Sequence, residues 1–128
     1  MLELRKPNCG ADRRAKKLAT NKARRRFRET VLELDRNRCQ NFLLIHDRYF
    51  KVDPHHIINR RPHNRDLDEP WNGITLCRHC HDIVDGQAPA SDGSTAQQYM
   101  MAIIKSHKND PDFRWGEALA ELERKEGS

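Results

Sequence analysis

The chain has 128 residues, enough for one small domain with extensions; 36% are hydrophobic, 34% are charged, and the mean hydropathy is −0.98, which leaves a thin core that a structural metal would help to hold. The net charge of +5 is uneven, with 13 Lys+Arg against 5 Asp+Glu in residues 1–40 and 11 against 14 in the remainder, so a basic arm on a nearly neutral body suits a polyanion such as nucleic acid. No run has the apolar length of a signal peptide or a transmembrane helix, which excludes a membrane partner and sets the expectation of a reducing, cytoplasmic protein from a bacterial or phage-like source.

Residues 1–12, with Pro7 and Gly10, show no period. From Arg13 to Asp35 the pattern is helical, with Phe27, Val31 and Leu34 at i, i+4, i+7 spacing and Leu18 also apolar. The stripe can dock on the body while Arg24, Arg25 and Arg26 face outward. Its narrowness argues against a membrane-surface helix. After a turn at Asn37–Asn41, the runs Phe42–Ile45 and Tyr49–Asp53 read as a β-hairpin, with Pro54 breaking its second strand. His55–Ile58 is extended, Arg60–Pro70 a polar loop, and Trp71–Leu76 a turn leading into a helix that starts in Cys77–Val84.

Gly86–Gly93 reads as a linker. Ser94 then caps a helix with Tyr99, Met100, Ile103 and Ile104 on one side. A second helix is expected over Asp112–Lys125, with Phe113, Trp115, Leu119 and Leu122 apolar. In both, Met100, Met101 and Trp115 read as packing residues rather than a cofactor box. The resulting division is a basic arm and helix at 1–36, a core at 37–86, and a linker with C-terminal helices packing on the core at 87–128.

The chemistry is concentrated in Val52–Asp82, VDPHHIINRRPHNRDLDEPWNGITLCRHCHD. Of four cysteines, Cys77 and Cys80 form a C-x-x-C flanked by histidines, a metal-binding pattern rather than a disulfide framework, while Cys9 reads as a free thiol. A hydrolase acting on a phosphodiester needs a base for water, a cation for the developing negative charge and a rigid frame. Adjacent residues on an extended strand point opposite ways, so His55 and His56 cannot readily hold one ion together; one can bind metal while the other faces water.

His55-His56-Ile57, then Asn72, then Leu76-Cys77-Arg78-His79-Cys80-His81 resembles the HNH (ββα-metal) endonuclease family, over about Cys39–Val84. The resemblance implies an α+β fold: a small ββα-metal core, a β-hairpin plus helix, with flanking N- and C-terminal helices. It makes His56 the general base, His55 and His81 the ligands of one catalytic divalent metal, and Asn72 the residue that pins the loop and orients the base. A hydrogen bond from the base's other ring nitrogen to a backbone carbonyl would fix its tautomer. Two imidazoles tilt the metal preference toward Mn²⁺, Co²⁺ or Ni²⁺ over Mg²⁺. A single such site nicks one DNA strand, in a monomer or weak dimer.

The pattern departs from the family at its structural zinc. Zinc-clipped members carry two C-x-x-C pairs, but here the first reads Cys39-Gln40-Asn41-Phe42. Cys39, Cys77 and Cys80 could be completed by His46 or by Cys9, or zinc could be absent with Phe42 filling a small apolar core. Other residues carry paired readings. Arg60 and Arg61 could reach a phosphate or be solvated, and Asp53 could help the metal or end a strand. His63 and His79 read as surface residues, and His107 points to no role. The alternative function is a non-catalytic zinc-ribbon-like nucleic-acid-binding module; a component of a larger phage packaging or restriction system is a third.

Overall fold

The computed structural model describes residues 9–44, 46, 47, 49, 51–59 and 65–126; Arg60, Arg61 and His63 fall outside these, as does the side chain of Cys9. The fold is a small α+β unit with helix α1 (Cys9–Leu34), strands β1 (Asp53–His56) and β2 (Gly73–Leu76), and helices α2 (Arg78–Val84), α3 (Ala96–Lys105) and α4 (Gly116–Glu126). The strands form one antiparallel pair in which His55 faces Ile74 and His56 faces Gly73.

α1 docks through Phe27 and Val31, which are buried, whereas Leu18 is 68% exposed and Leu34 half-exposed, so the docking stripe is shorter than expected. Two left-handed residues, Arg36 and Asn37, end the helix, and the Asn37 N–H reaches back to the Leu32 carbonyl at 2.9 Å. Asp35, just past the last turn, is buried; it accepts the Thr75 N–H at 2.8 Å and pairs with Arg114 at 2.9 Å, which ties the helix end to β2 and to the C-terminal segment.

The strand pairing corrects the expected hairpin. Phe42–Leu44 is a turn, held by the Asn41 side chain accepting the Leu43 N–H, and it pairs with no strand; β1 instead pairs with β2. Pro54 lies inside β1 rather than breaking it, because a two-stranded sheet leaves β1 an unpaired edge where a missing N–H costs nothing. Trp71–Leu76 is not a turn into a helix. A 3₁₀ turn at Pro70–Asn72 leads into β2, which is buried at all four positions and so shows no alternation for a sequence to reveal.

Gly73 permits the α1 contact, since a Cβ there would lie 2.3 Å from Val31 Cγ2. The core gathers Ile74, Leu76, Ile103, Ile104, Leu119 and Leu122, with Met100, Met101 and Trp115 packed among them as expected. Trp115 Nε1 donates to the Gly73 carbonyl at 2.6 Å, and Arg114 donates to the same oxygen. Thr95, not Ser94, caps α3, in a reciprocal capping box with Gln98. α4 begins after the turn at 110–115 rather than at Asp112.

Candidate metal centres and the histidine cleft

Three segments converge on the first cluster. Cys39 follows the α1 turn, His46 comes from the 41–47 segment, and Cys77 and Cys80 open α2. One ligand atom from each lies within 4.8 Å of all the others, and the three thiols are buried. The His46 Nδ1–H faces the Leu44 carbonyl at 3.0 Å, which turns Nε2 toward Cys80 Sγ at 3.7 Å. A tetrahedral zinc with bonds of about 2.3 Å to sulfur and about 2.05 Å to nitrogen has an S···N edge of about 3.6 Å, so the spacing fits.

Asn41 Nδ2 donates to Cys80 Sγ at 3.3 Å, and Tyr99 Oη lies 3.7 Å from it. Hydrogen bonding from Cys39, then from Asn41 and Tyr99, holds Cys80 well below the ordinary thiol value, at about 5. Cys39 is pushed up by its hydrogen bond with Cys80 and by burial, and Cys77 by burial. This Cys₃His group could hold a metal such as zinc. Phe42 does not fill the place of a metal. It is 43% exposed, against the His107 ring at 4.7 Å.

The second cluster joins β1 to α2. His55 Nδ1 and His81 Nε2 are 3.3 Å apart, and His55 Nδ1 lies 3.7 Å from Asp85 Oδ1. Metal bonds of about 2.1 Å have polyhedron edges of about 3.0–3.4 Å, so the two imidazoles span one edge. Asp85 escaped the sequence reading, although it lies one helical turn beyond His81; its Oδ2 accepts from His81 Nδ1 at 2.8 Å. Burial holds His55 far below the ordinary imidazole value, at about 4, which keeps it neutral and ready to ligate. Asp53 is not drawn into this cluster; it pairs with Arg28 at 2.5 Å.

His56 is absent from the metal-ligand group that holds His55. Its ring lies flat on Phe27, with centroids 4.2 Å apart and planes 3° from parallel, and Nε2 meets Asp68 Oδ1 at 2.8 Å. The expected backbone-carbonyl partner is therefore replaced, at this nitrogen, by a carboxylate whose side chain is only 3% exposed. Asp68 was missed because a loop Asp among other acidic residues carries no periodic signal. Asn72, fully buried, bonds the backbone of Ile58 and Leu67 and so fixes the loop between the strands.

An open cleft of about 360 Å³ runs past His55, His56, Asn59 and Asp85 toward Gln97 and Lys125. A groove of about 350 Å³ lies where Arg26, Phe27 and Thr30 of α1 face Asp68. Arg24, Arg25 and Arg26 are all exposed, as is His79. His107 is a buried residue the sequence undersold: Nε2 donates to the Gln40 carbonyl at 2.7 Å, and Nδ1 bonds Asp110. Among the described residues, no helix is long and apolar enough to cross a membrane. Compared with family models, curated proteins and solved structures, the chain matches none.

Proposed function

We propose that the chain is a metal-dependent HNH-type endonuclease that hydrolyses DNA phosphodiester bonds, one strand per site. One juxtaposition carries the reading: two neighbouring histidines on one strand, with His55 joined to His81 and Asp85 in a metal-ligand group and His56 outside it, fixed by Phe27 and Asp68. A divalent ion bound by His55, His81 and Asp85 would supply positive charge to the phosphate and the leaving oxygen.

His56 takes a proton from water as that water's oxygen bonds to phosphorus; one P–O ester bond breaks, and the departing oxygen takes a proton from solvent. Asn72 holds the loop that carries this geometry. The nitrogen-rich ligand set favours Mn²⁺, Co²⁺ or Ni²⁺ over Mg²⁺, with the Asp85 oxygen narrowing the margin. The exposed Arg24, Arg25 and Arg26 on α1 provide phosphate affinity by counterion release, and Arg60 and Arg61 add to it. The protein works as a monomer or weak dimer.

The Cys₃His group supports a second reading, a zinc-ribbon-like module that binds nucleic acid without cutting it. Supercoiled plasmid separates the two. With Mn²⁺, wild-type protein converts it to the open circle, and either a chelator or His56→Ala abolishes the conversion. Retarded plasmid that is never nicked, under any of the four metals, selects the binding module. Nicking that persists in His56→Ala rejects the assignment of the base.

A further inference from the structure

A neutral imidazole has one N–H and one lone pair, and which nitrogen carries which is set by its neighbours. At His56 the neighbours are unusually restrictive. Asp68 Oδ1 sits 2.8 Å from Nε2, and an ionised carboxylate only accepts. The Asp68 side chain is almost wholly buried, in a loop whose end is pinned by Asn72 through the Leu67 carbonyl next door in sequence. Phe27, stacked 3° from parallel, restrains the imidazole plane from the α1 side. Ring plane and ring nitrogen are thus held by separate elements, α1 and the inter-strand loop.

We infer that Asp68 is a positioning residue for His56. By accepting the Nε2 proton it fixes the tautomer in which Nδ1 carries the lone pair, and it holds the ring in the orientation that Phe27 selects. The inference rests on the nuclease reading and deepens it, giving the Asp68 contact a defined task at the His56 nitrogens. During hydrolysis the water proton goes to Nδ1, the Nε2 proton remains shared with Asp68, and the carboxylate stabilises the imidazolium that forms, as an orienting carboxylate does beside a histidine base. A loop Asp in a merely structural role would be exchangeable without any change at the His56 nitrogens.

Two readouts test this on the full-length protein. Long-range ¹H–¹⁵N correlation spectra of ¹⁵N-labelled protein report the His56 tautomer whether or not the protein cuts DNA. Wild type shows the Nε2–H form, and Asp68→Ala shows a mixture of the two. Asp68→Leu, which leaves no cavity and supplies no acceptor, gives the same mixture and takes over the test should Asp68→Ala lose its dispersed amide spectrum. In plasmid nicking, kcat falls by about 10- to 100-fold, part of what a positioned base contributes, while KM stays within about twofold. A wild-type Nδ1–H form, or a tautomer unchanged in both variants, overturns the inference. A tautomer that shifts as expected, in a wild-type protein that nicks no plasmid, keeps the positioning role and rejects the nuclease reading alone.

Discussion

Asn72 encloses the backbone of Ile58: its Oδ1 accepts the Ile58 N–H at 2.7 Å, and its Nδ2 donates to the Ile58 carbonyl at 2.9 Å and to the Leu67 carbonyl at 3.0 Å. One side chain thus closes the loop between β1 and β2 on itself, with no solvent to replace any of the three bonds. Asn72→Ala leaves buried backbone groups unpaired and should cost about 2–4 kcal/mol. Asn72→Asp should cost more, because its carboxylate would face two carbonyl oxygens that Nδ2 now serves. Urea unfolding at constant m-value checks the order. An Asp variant as stable as wild type would show that the loop does not depend on these bonds.

Gly73 and Val31 make a second close relationship. The backbone of Gly73 is extended, so its need is space: an added Cβ would lie 2.3 Å from Val31 Cγ2 and 2.9 Å from the Phe27 ring. Gly73→Ala should destabilise by about 1–3 kcal/mol through overpacking. Val31→Ala in the same chain should recover part of that loss, a favourable coupling that a double-mutant cycle measures. It should also disturb nicking, since the displaced Phe27 ring supports His56. Additive costs in the cycle would mean that α1 shifts as a body instead.

Purified protein should contain one zinc per chain, read by elemental analysis. Cys39→Ser, Cys77→Ser and Cys80→Ser should each lose it, with a fall in thermal midpoint, because three thiolates and His46 would make up its four ligands. His46→Cys should retain the metal, whereas Phe42→Ala should leave its content unchanged, the Phe42 ring being half-exposed and tilted against His107. A zinc-free protein whose stability ignores chelator would remove the cluster's structural role.

How much of this was legible in the sequence follows from what kind of signal each feature leaves. Long periodic segments were readable: α1, α3 and α4 all exist, with ends displaced by a few residues. His55, His81 and the cysteines stood out through the resemblance of their motif rather than through periodicity, and the fold brings His55 beside His81, and Cys39, Cys77 and Cys80 beside His46. The strand pairing was not. β2 is buried on both faces and β1 contains a proline, so neither shows alternation, while the more strand-like Phe42–Leu44 is bent around the thiol cluster. Asp68, Phe27 and His107 act through contacts between distant segments, 12 residues from His56 to Asp68 and 67 from Gln40 to His107, and a single sequence carries no trace of such contacts.

Acid should separate the protein from its own histidine site. Burial holds His55 at about 4, against an ordinary value of 6.5, with the neighbouring His81 and His56 pushing in the same direction and Asp85 opposing. Between those two values the unfolded chain takes up a proton that the folded one refuses. The stability at stake is therefore complete above about pH 6.5 and declines as the pH falls toward 4, by on the order of 2 kcal/mol for this group. Urea midpoints of protein prepared without added transition metal, compared with His55→Gln from pH 7 to 4.5, isolate it: wild type should lose more with acid than the variant does. Added Mn²⁺ should raise the wild-type midpoint and raise that of His55→Gln much less, because the variant lacks one nitrogen of the His55, His81 and Asp85 group. Parallel pH profiles for wild type and His55→Gln would place the origin of acid sensitivity elsewhere in the molecule.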